Sequence, residues 1–128
     1  MARILVVDDD PAMCEVVRGM LEKVEHTVFI ASNGRNGLAT LAREWIEVVI
    51  TDIVMPEMDG IETVRQLRSM TRPPKIIVMT GGDRNGAAEQ LATARRLGAD
   101  ASLMKPLRAK ILLDAISDLL GRQGAARR

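Results

Sequence analysis

The sequence predicts an α/β fold: five parallel strands in one sheet, with helices on both faces. Three observations carry this. Short β-branched runs and amphipathic segments alternate five times along the chain. The first run, "RILVV", is almost continuously apolar, as a strand buried on both faces requires. The 128 residues, 47% of them hydrophobic, suffice for one domain with one sizeable core. Strict alternation of strand and helix then implies a doubly wound parallel sheet, (βα)5, with no internal repeat and no linker.

The first strand runs from Arg3 to Val7. Pro11 suits a first helical turn, and Met13, Val16, Val17, Met20, Leu21 and Val24 recur at helical spacing. "HTVFIA" reads as the second strand. "NGRNGLATLARE" reads as the second helix, opening after the turn-prone Ser32-Asn33-Gly34. Glu47 to Thr51 form the third strand, followed by the loop "MPEMDG". In "GIETVRQLRSM", Ile61, Val64 and Leu67 mark the inner side of a third helix, with Arg65 and Arg68 toward solvent. Pro73-Pro74 stops it before the fourth strand, "KIIVMT". "GGDRNG" is a loop. "AAEQLATARRLG" is a fourth helix with Gly98 as its stop. "ASLM" is a short fifth strand. "AKILLDAISDLLG" is the fifth helix, with Ile111, Leu112, Ala115, Ile116, Leu119 and Leu120 on its inner side. Residues 1–121 make the domain, and residues 122–128 read as a flexible basic tail, or the stub of a linker.

Composition excludes several function classes. The formal net charge is +1, which leaves no electrostatic footprint for nucleic acid or membrane. No run approaches a membrane span, and the first ten residues turn acidic too early for a signal peptide, so a cytoplasmic location is expected. Cys14 is the only cysteine, so no internal disulfide forms, and it reads as a small buried hydrophobe. Phe29 and Trp45 are the only aromatics, so aliphatics and eight methionines fill the core. His26 reads as an exposed residue without function. Arg95-Arg96 mark a solvated helix face that is also free to dock a partner.

In an open α/β sheet, ligands bind at the carboxyl ends of the strands. Strand one ends in Asp8-Asp9-Asp10, strand three in Asp52, strand four in Thr80, and strand five in Lys105-Pro106. Two carboxylates ~4 Å apart repel by about 1 kcal/mol in water and about 4 at an effective dielectric of ~20. A hard divalent cation relieves this. All candidate ligands are oxygens, which favours Mg²⁺, with Mn²⁺ as the alternative, over Zn²⁺. Thr80 and Lys105 can donate to a phosphate on such an ion. Metal, phosphate and a remaining carboxylate together suggest phosphoryl transfer to an aspartate. Asp10 stands apart: directly before Pro11, it reads as the helix N-cap.

The stretches "ILVVDDDP", "VVITDIVMPEMDGIE", "IIVMTG" and "GADASLMKP" resemble the receiver domain of two-component response regulators, over about Arg3 to Leu120. The resemblance implies a flavodoxin-like strand order, 2-1-3-4-5. It implies that Asp52 accepts a phosphoryl group from a histidine kinase or a histidine phosphotransfer protein. Asp9 would ligate Mg²⁺ directly, Asp8 through water or as a secondary ligand, and Val54 through its backbone carbonyl. Thr80 would bond the phosphoryl group. Lys105 would contact a phosphoryl oxygen and, without phosphate, pair with a carboxylate. The Lys105-Pro106 bond resembles the family's cis peptide. The expected output is altered partner binding at the face of the fourth helix, fifth strand and fifth helix, by a monomer or a phosphorylation-dependent dimer.

This chain departs from the family pattern in places. Ser102 stands where many receivers carry an aromatic switch residue, so output is expected through the loop after Thr80. That loop also looks about three residues longer than in the most compact receivers. Val54 and Gly82 stand where side chains influence the hydrolytic water; neither can hydrogen-bond it through a side chain, so slow self-dephosphorylation is expected. A turnover enzyme is not expected: a phosphohydrolase of the haloacid-dehalogenase type wants an acid where Val54 stands. A nucleotide-binding module would need the glycines that the first strand-helix turn lacks. Two alternatives stay open: a receiver excised from a longer regulator with an output domain, or a degenerate receiver that binds partners without phosphate.

Overall fold

The computed structural model describes residues 1–53, 60–81 and 87–126. Its elements alternate strictly: β1 (Arg3–Val7), α1 (Pro11–Glu22), β2 (Thr27–Ala31), α2 (Gly34–Arg43), β3 (Val48–Asp52), α3 (Gly60–Arg68), β4 (Lys75–Thr80), α4 (Ala87–Leu97), β5 (Ala101–Met104) and α5 (Ala109–Ala126). The strands form one parallel sheet in the order β2-β1-β3-β4-β5. Every strand therefore points its carboxyl end to the same edge, and the three aspartates after β1, Asp52 at the end of β3, Thr80 and Lys105 share that rim.

Alternation within the central strands divides the core in two. Ile4 and Val6, Val48 and Ile50, and Ile77 and Met79 face α1 and α5, meeting Cys14, Val17 and Leu21 on one helix and Leu112, Ile116 and Leu119 on the other. Leu5, Val7, Val49, Ile76 and Val78 face the opposite side, where Val64, Leu67 and Ala94 cover them from α3 and α4. This two-sided burial is why β1, β3 and β4 read as continuous apolar runs.

The helix edges refine the expectations from sequence. Val16, Val24 and Ile111 are exposed by 51%, 46% and 54%, not turned inward. Each helix meets the sheet through one stripe: Cys14, Val17 and Leu21 on α1, and Leu112, Ile116 and Leu119 on α5. Val16 and Ile111 each sit one residue, about 100° of rotation, from that stripe, and Val24 lies beyond the end of α1. The fifth helix also continues past Gly121 to Ala126. Glycine there costs only about 1 kcal/mol and no proline interrupts the ladder. Gly98 does close α4: its φ is +121° and its N–H donates to the Arg95 carbonyl at 3.1 Å.

His26 is half-buried, not free. Its Nδ1 accepts the Ala2 N–H at 2.9 Å, which requires the neutral ring. Burial first, then the ammonium of Met1, lower its pKa from the usual 6.5. The next residues tie β1 to the α2–β3 connection. Arg3 N–H donates to Glu47 at 2.9 Å, and the Arg3 side chain reaches the Trp45 carbonyl at 2.8 Å and the Glu44 carboxylate at 2.9 Å. The indole of Trp45 itself is 62% exposed, at the amino-terminal edge of the sheet.

Glu25, in the turn between α1 and β2, has φ +70°, a left-handed conformation that strains a side chain with a Cβ. Relief of about 1–2 kcal/mol of strain outweighs the extra unfolded-state entropy of glycine, about 0.5–1 kcal/mol. Glu25→Gly should therefore raise stability by about 0.5–1 kcal/mol, seen as a higher urea midpoint at unchanged slope; a lower midpoint would contradict it.

Candidate functional site at the carboxyl edge of the sheet

Three strand ends deliver the acids and the lysine. Asp8 follows β1 and is held from several sides. Its N–H donates to the Ala31 carbonyl at 3.1 Å, and its Oδ1 accepts the Asp10 N–H at 3.0 Å. It is 1% exposed. Asp52 ends β3 and is 8% exposed. Lys105 follows β5, with its N–H donating to the Thr80 carbonyl at 2.7 Å and a cis bond to Pro106. Its Nζ lies 3.1 Å from Asp8 Oδ2 and 3.1 Å from Asp52 Oδ2. One ammonium thus bridges two carboxylates that are 44 residues apart in the sequence and neighbours in space.

The charge pattern follows from burial. Desolvation is the largest influence on Asp8 and holds its carboxyl above the usual 3.8, although the Asp10 N–H and Lys105 oppose it; Asp52 adds to the rise. For Lys105, burial alone would lower the ammonium. The hydrogen bond it donates to Asp8 and the charges of both aspartates outweigh it, and its pKa lies above 10.5. The wet side of the site is Asp9, which is exposed.

Carboxylate oxygens of Asp8, Asp9 and Asp52 all lie within 4.8 Å of one another. Ligand oxygens of an octahedral Mg²⁺ at 2.0–2.1 Å are roughly 3–4 Å apart, so a small closure, or one water between an acid and the ion, fits this set. The donors are hard oxygens, which suit Mg²⁺ or Mn²⁺.

The rim expected from the sequence is therefore assembled: Asp8, Asp9, Asp52, Thr80 and Lys105 meet at one edge. Thr80 is 2% exposed and pairs in register with Met104. Val54, with its expected carbonyl ligand, and Gly82 lie outside the described residues. Asp10 behaves as a cap: its carboxylate accepts the Ala12 N–H at 3.0 Å and its backbone is extended. Cys14 was legible only as a buried hydrophobe. Its thiol also donates to the Asp8 carbonyl at 3.4 Å, beneath the peptide that joins Asp8 to Asp9. Burial, then Asp8 and the acids beside it, push that thiol up to about 11, so it stays protonated and able to donate. Its place on the first inward turn of α1 is the sequence signal for this contact.

Comparison with known proteins agrees with this geometry. The family model described as the response regulator receiver domain matches residues 4–117. Protein PilH of Pseudomonas aeruginosa is 38% identical over 122 residues, covering 94% of this chain and 98% of that protein. Response regulator MprA of Mycolicibacterium vanbaalenii is 39% identical over 120 residues, covering 94% of this chain but 51% of that protein. The chain thus spans about half the length of the MprA relatives. Among solved structures, a CheY-like receiver domain protein from Methanospirillum hungatei superimposes with a TM-score of 0.90 at 32% identity, over 98% of both chains.

Proposed function

The chain belongs to the response regulator receiver domain family, and from that premise we propose that it is a switch whose Asp52 accepts a phosphoryl group from a histidine kinase or histidine phosphotransfer protein. The observation that carries the reading is the Lys105 ammonium held 3.1 Å from both Asp8 and Asp52. It is poised to exchange a carboxylate for a phosphoryl oxygen. An oxygen of Asp52 attacks phosphorus, the bond from phosphorus to the donor breaks, and the donor leaves with the electron pair. The product is an acyl phosphate on Asp52. Asp8, Asp9 and Asp52 would hold Mg²⁺, with the Val54 carbonyl as a further ligand in this reading, and the ion would neutralise phosphoryl charge. Thr80 bonds the phosphoryl group through its hydroxyl.

The output face is that of α4, β5 and α5. Its support is a groove of about 410 Å³ lined by Ser102, Met104, Lys105, Leu107 and Ile111 among others. The phosphoryl-contacting lysine forms part of its wall, and Met104 and Ile111 are 63% and 54% exposed beside it. A shift of Lys105 on phosphorylation alters this wall directly, without an aromatic residue at position 102.

Incubation with Mg²⁺ and a small acyl-phosphate donor, followed by intact mass measurement, tests the reading. A gain of one phosphoryl group that depends on the metal is expected; no gain would leave the phosphate-independent binding module. The acids should also differ. Asp9→Asn should weaken Mg²⁺ binding at least about tenfold, a typical loss for a metal-site change. Asp10→Asn should scarcely alter it, because asparagine caps α1 as well. Titration calorimetry reads both, and equal losses would defeat the division of roles.

A further inference from the structure

The opposite end of the sheet carries a charge surplus that the phosphoryl site does not use. Arg65 and Arg68 lie in the last turn of α3, and Arg95 and Arg96 lie in the last turn of α4. Arg72 follows α3, and all five are exposed. The two helix ends are joined by Arg68. A Cβ placed at Gly98 would fall 2.6 Å from Arg68 Nε and 2.8 Å from its Cδ, so the stem of Arg68 lies across the turn that closes α4. That contact seats Arg68 on the turn in which the Gly98 N–H donates to the Arg95 carbonyl.

Among the described residues little offsets these charges. Arg65 leans on Glu62 at 3.8 Å, and Arg96 donates to the Thr93 hydroxyl at 3.1 Å. Arg68, Arg72 and Arg95 have no ion pair or hydrogen bond among the described residues. The nearby Asp100 carboxylate accepts the Ile76 N–H at 2.8 Å. Helix dipoles are the bland explanation for arginines here. Two helix carboxyl ends supply roughly −0.5 each, about −1 together. Five guanidinium groups against the carboxylates of Glu62 and Asp100 exceed that by about two charges, in a chain whose whole net charge is only +1.

We propose that the paired carboxyl ends of α3 and α4 dock an acidic segment of a partner protein, one rich in Asp and Glu. Guanidinium forks match carboxylates bidentately, and a stem already seated on Gly98 loses less freedom on pairing. A lipid surface is disfavoured because no apolar wedge shows among the described residues. Among the residues whose burial is described, the exposed large hydrophobics are Met1, Val16, Val24, Trp45, Met104 and Ile111, and none of these six belongs to α3 or α4. A single-stranded nucleic acid would want aromatic platforms, and Phe29 lies on β2 and Trp45 in the α2–β3 connection. α3 and α4 run back across the sheet, so the surface sits away from the acidic rim. A partner held there leaves Asp52 open to its donor. The surface does not depend on the reading of Asp52.

The test is fluorescence anisotropy of a labelled 12-residue Glu-rich peptide with the full chain at low salt. Saturable binding is expected, weakened at least tenfold in the double variant Arg68→Gln/Arg95→Gln. The control Arg35→Gln/Arg43→Gln removes two exposed arginines from α2 and should stay within twofold of wild type. Circular dichroism of both variants verifies folding. No saturable binding by wild type, or equal losses in the two double variants, would overturn the proposal. So would tighter binding of a 12-nucleotide single strand, or of phosphatidylserine vesicles, than of the peptide.

Discussion

Asp52→Asn is expected to gain no phosphoryl mass under conditions that fully modify the wild type. Asparagine keeps the shape and the backbone of β3, which runs through the centre of the sheet between β1 and β4. It replaces a carboxylate oxygen with an amide, a far weaker nucleophile toward phosphorus. Lys105 keeps its contact with Asp8, so the variant should fold, and a wild-type circular dichroism spectrum would verify this. Peptide mapping separates the alternatives. An undiminished mass gain in Asp52→Asn, mapped to Asp8 or Asp9, would move the acceptor role to a neighbouring strand end.

Lys105→Met should have the largest effect on stability. The ammonium is the partner of a carboxylate that is 1% exposed, and methionine leaves that charge uncompensated. Breaking a fully buried pair costs about 3–5 kcal/mol; with a fifth of the lysine side chain still in contact with solvent, about 2–4 kcal/mol is expected at neutral pH. The loss should depend on pH in a defined direction. Burial already holds the Asp8 carboxyl above 3.8, and removing Lys105 removes two influences that lower it. Its folded pKa therefore rises further. The folded variant then binds a proton that the unfolded chain has released, and stability falls as pH rises through the folded value. It recovers toward 3.8. In the wild type the Lys105 contribution is complete below 10.5 and lost only as pH rises through its raised folded value. Urea midpoints of both proteins from pH 4 to 8 should show a gap that is smallest at the acid end and widens with pH. A constant gap would mean that packing, not charge, holds Lys105 in place.

Much of this was legible in the chain because a parallel sheet converts a repeated pattern into a place. Once β1, β3, β4 and β5 are read as strands, Asp8, Asp52, Thr80 and Lys105 must share an edge, although Asp8 and Lys105 are 97 residues apart. Their roles came with the family resemblance, as did the strand order. What stayed hidden depends on direction or on distant partners. Helical spacing marks Val16 and Ile111 as apolar but does not say which 100° sector meets the sheet. His26 gains its meaning from the Ala2 N–H, and Arg3 from Glu44, Trp45 and Glu47, pairings that no local pattern announces. The apolar spacing of α5 ends at Leu120, so nothing in the pattern marks the turns that carry the helix on through Gly121 to Ala126.

Trp45 has a practical consequence for anyone watching the switch by light. The only indole in the chain stands in water at the amino-terminal edge, before β3, while Asp52 closes that strand. At about 3.3 Å per residue, the strand separates them by roughly 20 Å. Emission from this tryptophan reports unfolding of the Arg3 junction and is blind to ion binding or acylation at the rim. A spectroscopic readout needs an introduced chromophore, and Ser102, on the strand that leads to Lys105, is the position to carry it.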